Sequence, residues 1–423
     1  MSTVPTKKFQ VCSGPGAGAQ TVEVKFADLS FTPTTQVKVN KSSKFSVVDT
    51  KSVDQPVPKK KSAVAAPAPV EENLFVSNLS VEEKVRIAMS VGEETLTVEE
   101  LTALFTSRQH PIVYDGFEPS GRMHIAQGVL RAINVNKLTS TGCLFKFWVA
   151  DWFAQLNNKM DGDLKKIRMI GQYMIEIWKA IGMDMQNVRF LWASDEINAH
   201  AEEYWSLVMD VARVNNLARI QRCCTIMGRK DTEEMSAAQI FYPCMQCADV
   251  FFLKADICQL GMDQRKVNML AREYAGTKKK KFKPVIISHH MLSGLKEGQE
   301  KMSKSDPDSA IFMEDSAEDV KRKIKKAFCP PEVVDKNPIM DYAKNIIFGY
   351  YGTMTVNSAE GPVVYNAYET LEEDYKSGRV HPGDLKAAVT EALNRILEPV
   401  RAHFATGEPK ILLDKIKKFK VTR

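Results

Sequence analysis

The residues of this chain best suited to chemistry are two lysines in the run Glu300-Lys301-Met302-Ser303-Lys304-Ser305. Two ammonium groups on flexible stems, bracketing a serine hydroxyl, suit the oxygens of a polyphosphate. Gly294 and Gly298 lie just upstream, which places the run on a movable loop rather than inside an element. By charge pattern alone it reads as a solvated loop and nothing more. A second stretch, from Tyr114 to Gln127, changes the balance. It holds Gly116, Glu118, Gly121 and His124, and it joins an apolar strand to the start of a helix. In a parallel sheet that crevice is where ligands bind, and a helix N-terminus offers free N–H groups to phosphate. His124 could donate to a phosphate oxygen as charge develops. Taken alone, it is equally well read as a packed helix-start histidine. No Gly-Lys-Ser/Thr follows the glycines, so the stretch is not a P-loop.

A third constellation is Tyr242, Gln246 and Asp249, spaced by four and three and therefore on one face of a helix. The plain reading is a helix with a satisfied buried carboxylate. Gly261, Asp263 and Gln264 follow; a glycine-acid pair is by itself a common turn. Cys244 and Cys247 form a single C-x-x-C, but the seven histidines lie elsewhere and no second pair accompanies it. Zinc wants more ligands than that. No metal site is expected, and the eight cysteines read as reduced thiols of a cytosolic protein.

The elements that must position these groups alternate. Ser80 with Glu83, and Thr97 with Glu100, form capping boxes that open helices. Residues 111–114 read as a strand, 115–122 as a turn containing Gly and Pro, and a helix follows from His124. Residues 144–150 are the next strand. Leu164, Ile167, Ile170, Met174 and Trp178 then step by three and four, an amphipathic helix. Two further strands are expected at 188–192 and 284–288. The alternation predicts an α/β fold with a doubly wound parallel sheet. Past Ser316 the pattern turns helical, with Val320 and Ile324 among Lys321, Arg322, Lys323, Lys325 and Lys326. A second helical run, 381–404, carries Leu385, Val389, Leu393, Ile396 and Val400.

The expected division is therefore a low-complexity, mostly disordered extension at 1–75, an α/β domain at 76–315 and a mainly helical domain at 316–423. Within the extension, residues 37–48 alternate enough for a short strand. The 423 residues are 44% hydrophobic and 26% charged, enough to bury a real core. A net charge of +6 permits a nucleic-acid or polyphosphate partner without requiring one. No apolar run approaches the ~20 residues that cross a bilayer, so no membrane is expected.

His124-Ile125-Ala126-Gln127 and Lys301-Met302-Ser303-Lys304-Ser305 together resemble the two signatures of class I aminoacyl-tRNA synthetases. The first of these usually reads His-Ile-Gly-His, so Gln127 stands where a second histidine is usual; an amide still donates to phosphate. The run from Ile240 to Asp249 resembles the amino-acid-binding helix of tyrosyl-tRNA synthetases of the eukaryotic and archaeal branch. Residues 147–158 and 381–386 look like that branch as well, and the likeness covers nearly all of residues 80–423.

The resemblance implies a Rossmann-like catalytic domain that joins L-tyrosine to ATP, with Mg²⁺, and then charges tRNA(Tyr). It implies that Asp249 and Tyr114 meet the phenol, while Tyr242, Gln246, Glu118 and Gln264 hold the amino-acid end. Gly261 and Asp263 would take the adenosine. His124, Gln127, Lys301, Ser303 and Lys304 would take the phosphates. A homodimer in the cytoplasm, reading the anticodon with its helical domain, is implied too. Phenylalanine would leave Asp249 and Tyr114 unpaired, so no editing domain is expected. Tyrosyl-tRNA synthetases are themselves the standard example of that effect, at about 10⁵-fold discrimination. Two alternatives stay open: the sister tryptophanyl enzyme, which shares both signatures, and a non-catalytic RNA-binding derivative. An acid and a hydroxyl suit a phenol better than an indole N–H, which only donates.

Overall fold

The computed structural model describes residues 73–227, 236–299, 302 and 306–419, together with the backbone of two strands near the N-terminus. Those strands, β1 (Thr6–Val11) and β2 (Gln20–Lys25), pair antiparallel within a unit spanning Met1–Val70. Residues 73–75 of the expected extension are described, and Asn187 holds the Phe75 backbone at both N and O; the rest, the 37–48 strand included, lies outside the described residues. A second compact unit, Glu71–Arg423, holds everything that follows.

Its centre is a six-stranded sheet of β3 (Glu94–Leu96), β4 (Ile112–Phe117), β5 (Leu144–Val149), β6 (Val188–Trp192), β7 (Ile257–Gly261) and β8 (Val285–His289). The spatial order is β3-β8-β7-β4-β5-β6, with β3 antiparallel and all other pairings parallel. Successive strands step outward from β4 through β5 to β6, while β7 and β8 lie on its other side. β4 and β7 thus flank the point where strand order reverses, and a crevice must open at their C-terminal ends.

Period-two alternation sends the strand side chains to two cores. Val113, Phe117, Phe145, Phe147 and Val149 join one buried cluster, whereas Tyr114, Trp148, Cys258, Leu260 and Ile286 join the other. In the first, the Phe147 ring stacks on Trp178 at 4.9 Å and on Phe190 at 5.1 Å. Each such burial contributes roughly 1.5–3 kcal/mol, and here it locks the helix Leu164–Ala180 onto β5 and β6.

Several boundaries differ from expectation. β4 runs through Phe117, so Asp115 and Gly116 belong to the strand and not to the turn. Regular helix begins later than His124, because a π-helical turn, Ala126–Leu130, precedes Arg131–Ser140. β7 was not expected: all five of its residues are buried, so it lacks the alternation that betrays a half-exposed strand. The three-residue β3 is too short to show a pattern. Ser80 and Glu83 do form a reciprocal capping box. Thr97 caps Glu100 N, but the Glu100 carboxylate turns to Arg272 instead of closing the box. Beyond Ser316 the chain is mainly helical, with Ala317–Lys326, Pro382–His403 and Gly407–Ile416. An unexpected hairpin, β9 (Met354–Ser358) with β10 (Gly361–Tyr365), interrupts it.

Candidate active site

A cavity of about 410 Å³ opens where β4 and β7 end. Ten expected residues line it: Tyr114, Glu118, His124, Gln127, Tyr242, Gln246, Asp249, Gly261, Asp263 and Gln264. Lys301, Ser303 and Lys304 lie outside the described residues. Met302, set between them, is described; it is buried and lines the same cavity.

One end is built on the helix Ala237–Phe252, whose residues 242–250 are all buried. Pro243 sits inside this helix and cannot donate to the carbonyl one turn back. That carbonyl, on Gln239, accepts the Cys224 thiol at 3.0 Å instead. The helix therefore survives its proline and turns Tyr242, Gln246 and Asp249 toward the cavity. Asp249 is 0% exposed; the Tyr204 hydroxyl donates to its Oδ1 at 2.8 Å, and Oδ2 has no partner among the described residues. Burial pushes this carboxyl well above the usual range, against the pull of the Tyr204 bond. Opposite, on β4, Tyr114 is 2% exposed, and burial followed by the charge of Asp249 keeps its hydroxyl protonated. The arrangement is a carboxyl oxygen and a neutral hydroxyl on apolar walls. It suits a group that both donates and accepts, as a phenol does.

The other polar end gathers around Glu118. The Tyr242 hydroxyl donates to Glu118 Oε1 at 2.6 Å, and Asn157 Nδ2 lies 3.1 Å from both carboxylate oxygens. Gln246 Nε2 donates to Gln264 Oε1 at 3.2 Å, and Gln264 in turn donates to the Ile226 carbonyl at 3.2 Å. A carboxylate backed by amide oxygens is a seat for an ammonium group.

The part of the cavity beside His124 and Gln127 rests on backbone. Ile125 N donates to Ile311 O at 2.9 Å, and Met313 N to Met123 O at 2.9 Å, so His124 pairs with Phe312 in an antiparallel bridge. The first signature is thereby fastened to the segment that follows the lysine-serine run. Gly128 packs closely here: a Cβ would meet Met313 Sδ at 2.2 Å, so the methionine side chain would have to shift. Arg122 stacks over the Phe312 ring at 4.3 Å and pairs with Glu314 and Asp315. Gln127 Oε1 is buried with no partner among the described residues. At the end of β7, a Cβ on Gly261 would meet Asp263 Oδ1 and Met291 Sδ at 2.7 Å, so a larger residue there would have to displace both side chains. Asp263 itself is exposed.

The family described as tRNA synthetases class I (W and Y) matches residues 106–398. Cytoplasmic tyrosine–tRNA ligase 1 of Arabidopsis thaliana is 61% identical over 353 residues, covering 82% of this chain and 92% of that one. This chain belongs to the tyrosyl-tRNA synthetases of class I. The tyrosine–tRNA ligase of Saccharolobus islandicus, 39% identical over 343 residues, sets the archaeal relation. The tyrosyl-tRNA synthetase of Leishmania major bound to tyrosinol superposes with a TM-score of 0.78 at 51% identity, over 81% of this chain. This chain spans about half the length of that protein, 53%. The Pyrococcus horikoshii enzyme complexed with L-tyrosine is matched over its whole length, at 35% identity and a TM-score of 0.74.

Around this synthetase site stand residues that sequence reasoning missed. Asp115 lies at the end of β4, fully buried; burial raises its carboxyl to about 7, against Arg131, whose Nε is 3.0 Å from Oδ2. Burial holds His289 neutral, its pKa lowered to about 3, and its Nδ1 shares a 2.6 Å hydrogen bond with Gln259. Tyr204 and Asn157 sit behind Asp249 and Glu118. Asp115 was read as part of the turn; its place inside β4 is what buries it and gives it the need for a partner. Tyr204 carried no signal, being far from the signatures in sequence, and His289 stood one residue past the expected strand with nothing to mark it.

Proposed function

We propose that this synthetase activates L-tyrosine with ATP to tyrosyl-adenylate and transfers the tyrosine to tRNA(Tyr) in the cytoplasm. The observation that carries the reading is one end of the cavity, lined by buried Tyr114 and by Asp249, whose Oδ2 has no partner among the described residues. A tyrosine phenol satisfies both. Phenylalanine leaves both unpaired, and an unpaired buried polar group costs roughly 1–3 kcal/mol.

The amino-acid end falls to Glu118, Tyr242, Gln246 and Gln264. The tyrosine carboxylate then attacks the α-phosphorus of ATP, with pyrophosphate leaving. Positioning and stabilisation of phosphate charge carry the rate, because little covalent protein chemistry is needed. His124 and Gln127 address the phosphates, Gly261 and Asp263 the adenosine. Lys301, Ser303 and Lys304 close over the departing pyrophosphate. Among the described residues no group of three or more His, Cys, Asp or Glu gathers to hold a metal ion. Mg²⁺ would arrive on ATP's own phosphates, where it shares their charge.

The catalytic domain is assigned to residues 76–315 and anticodon recognition to the helical domain, 316–423. In that domain the helix Ala317–Lys326 presents Lys321, Arg322, Lys325 and Lys326 to solvent. A homodimer would cover Met209, Leu217 and Phe241, large apolar side chains exposed on neighbouring helices. Among the described residues no helix is long and apolar enough to cross a membrane. The test is aminoacylation of total tRNA with labelled tyrosine. Charging confined to tRNA(Tyr) supports the reading, and charging with tryptophan instead would overturn it.

A further inference from the structure

We propose that Asn157 is a positioning residue for amino-acid recognition: it aims the Glu118 carboxylate at the substrate's α-ammonium group. The inference rests on Glu118 belonging to the amino-acid end of the cavity.

Asn157 is 2% exposed and closes the helix Asp151–Leu156 just beyond β5. Its Nδ2 lies 3.1 Å from Glu118 Oε1, 3.1 Å from Oε2 and 3.3 Å from the Met227 carbonyl. Three acceptors around one NH₂ group, which has two hydrogens, fix both its identity and its direction. The Tyr242 hydroxyl supplies a second donor to Oε1 at 2.6 Å. These two donors are neutral, so neither of them cancels the carboxylate's charge. A carboxylate held this way loses little freedom when an ammonium arrives, and preorganisation of that kind raises affinity.

The amide is itself firmly rooted. At the other end of its short helix, Asp151 is fully buried and accepts from Ser194 Oγ at 2.6 Å, Ser194 N at 2.9 Å and Arg168 Nη1 at 3.1 Å. On its far side, the Met227 carbonyl ties Asn157 to the 3-10 turn Cys224–Met227, whose Ile226 carbonyl accepts Gln264. One side chain thus joins three walls of the amino-acid end. A purely structural tie to Met227 would need no carboxylate beside it.

The two roles separate with two inhibitors of tyrosine-dependent pyrophosphate exchange. Tyramine keeps the ammonium and the phenol, whereas 3-(4-hydroxyphenyl)propionate keeps the phenol and has no ammonium. Asn157→Ala is expected to weaken tyrosine and tyramine by about 10-fold, the scale of a lost hydrogen bond to a charged group. Inhibition by the propionate should stay within about 2-fold of wild type, since no aimed ammonium contact is lost. Asn157→Leu restores the volume without a donor and should show the same selectivity if the alanine variant folds poorly. Equal weakening of both inhibitors in the folded variants overturns the proposal, as does no weakening of either. Glu118→Gln separates the levels. If it is selective for tyramine while the Asn157 variants are not, the proposal alone falls. If Glu118→Gln leaves both inhibitors unchanged, the ammonium reading falls and takes the proposal with it.

Discussion

The Tyr204 hydroxyl donates to Asp249 Oδ1 at 2.8 Å, and both residues are fully buried. The bond fixes which carboxyl oxygen is spent on the protein and which remains for a ligand. Tyr204→Phe keeps the ring and removes the donor. The rate kcat/KM for tyrosine is expected to fall about 10-fold, with a narrower tyrosine-over-phenylalanine ratio. Asp249→Ala should narrow that ratio further, by about 10²-fold or more, because the group that penalises phenylalanine is gone. An unmoved ratio in Asp249→Ala would place the phenol contact elsewhere.

Lys304→Ala tests the proposed phosphate contact. Removing one charge that stabilises a developing oxyanion costs on the order of 10²-fold in rate. Adenylate formation should drop by that scale, while equilibrium binding of tyrosine changes little. A pyrophosphate-exchange rate equal to wild type would remove Lys304 from the mechanism.

Gly128 and Met313 meet where the two signatures are fastened together. A Cβ on residue 128 would fall 2.2 Å from Met313 Sδ, and overpacking of this kind costs roughly 1–3 kcal/mol. Gly128→Ala should lower Tm, and adding Met313→Ala should cost less than the two single losses summed. Strict additivity in a thermal-unfolding cycle would mean that the contact is not what excludes a side chain there.

His290 bridges two acids, Glu93 through Nδ1 and Asp341 through Nε2, the latter at 2.7 Å. Burial lowers its pKa, but the hydrogen bonds and charges of Asp341 and Glu93 outweigh that and raise it to about 9 from 6.5. Its stabilisation is therefore complete below pH 6.5, declines as pH rises and is gone above about 9. The Tm advantage of wild type over His290→Gln should be largest near pH 6.5 and shrink toward pH 9. Parallel Tm curves across that window would contradict the bridge.

Much of this was legible in the sequence, and the reasons are local. Tyr242, Gln246 and Asp249 share a face because helical spacing demands it, and β6 shows itself as a short, mostly apolar run. β7 was hidden because a strand buried on both faces has no period to read. Tyr204 and His289 were hidden because they come into register with the site only when the helices and β8 fold against it. Asn157 was visible as a residue, but its contact with Glu118 depends on how β5 and β4 end side by side. The expected capping box at Thr97 failed for a similar reason: Arg272, distant in sequence, takes the carboxylate that local chemistry would have used.

The central claim is that this cavity activates tyrosine, and ATP–pyrophosphate exchange on the full chain with tyrosine, phenylalanine and tryptophan side by side tests it most directly. Exchange strongly dependent on tyrosine, with phenylalanine and tryptophan near background, is the predicted result. Exchange supported by tryptophan, or by none of the three, would contradict it.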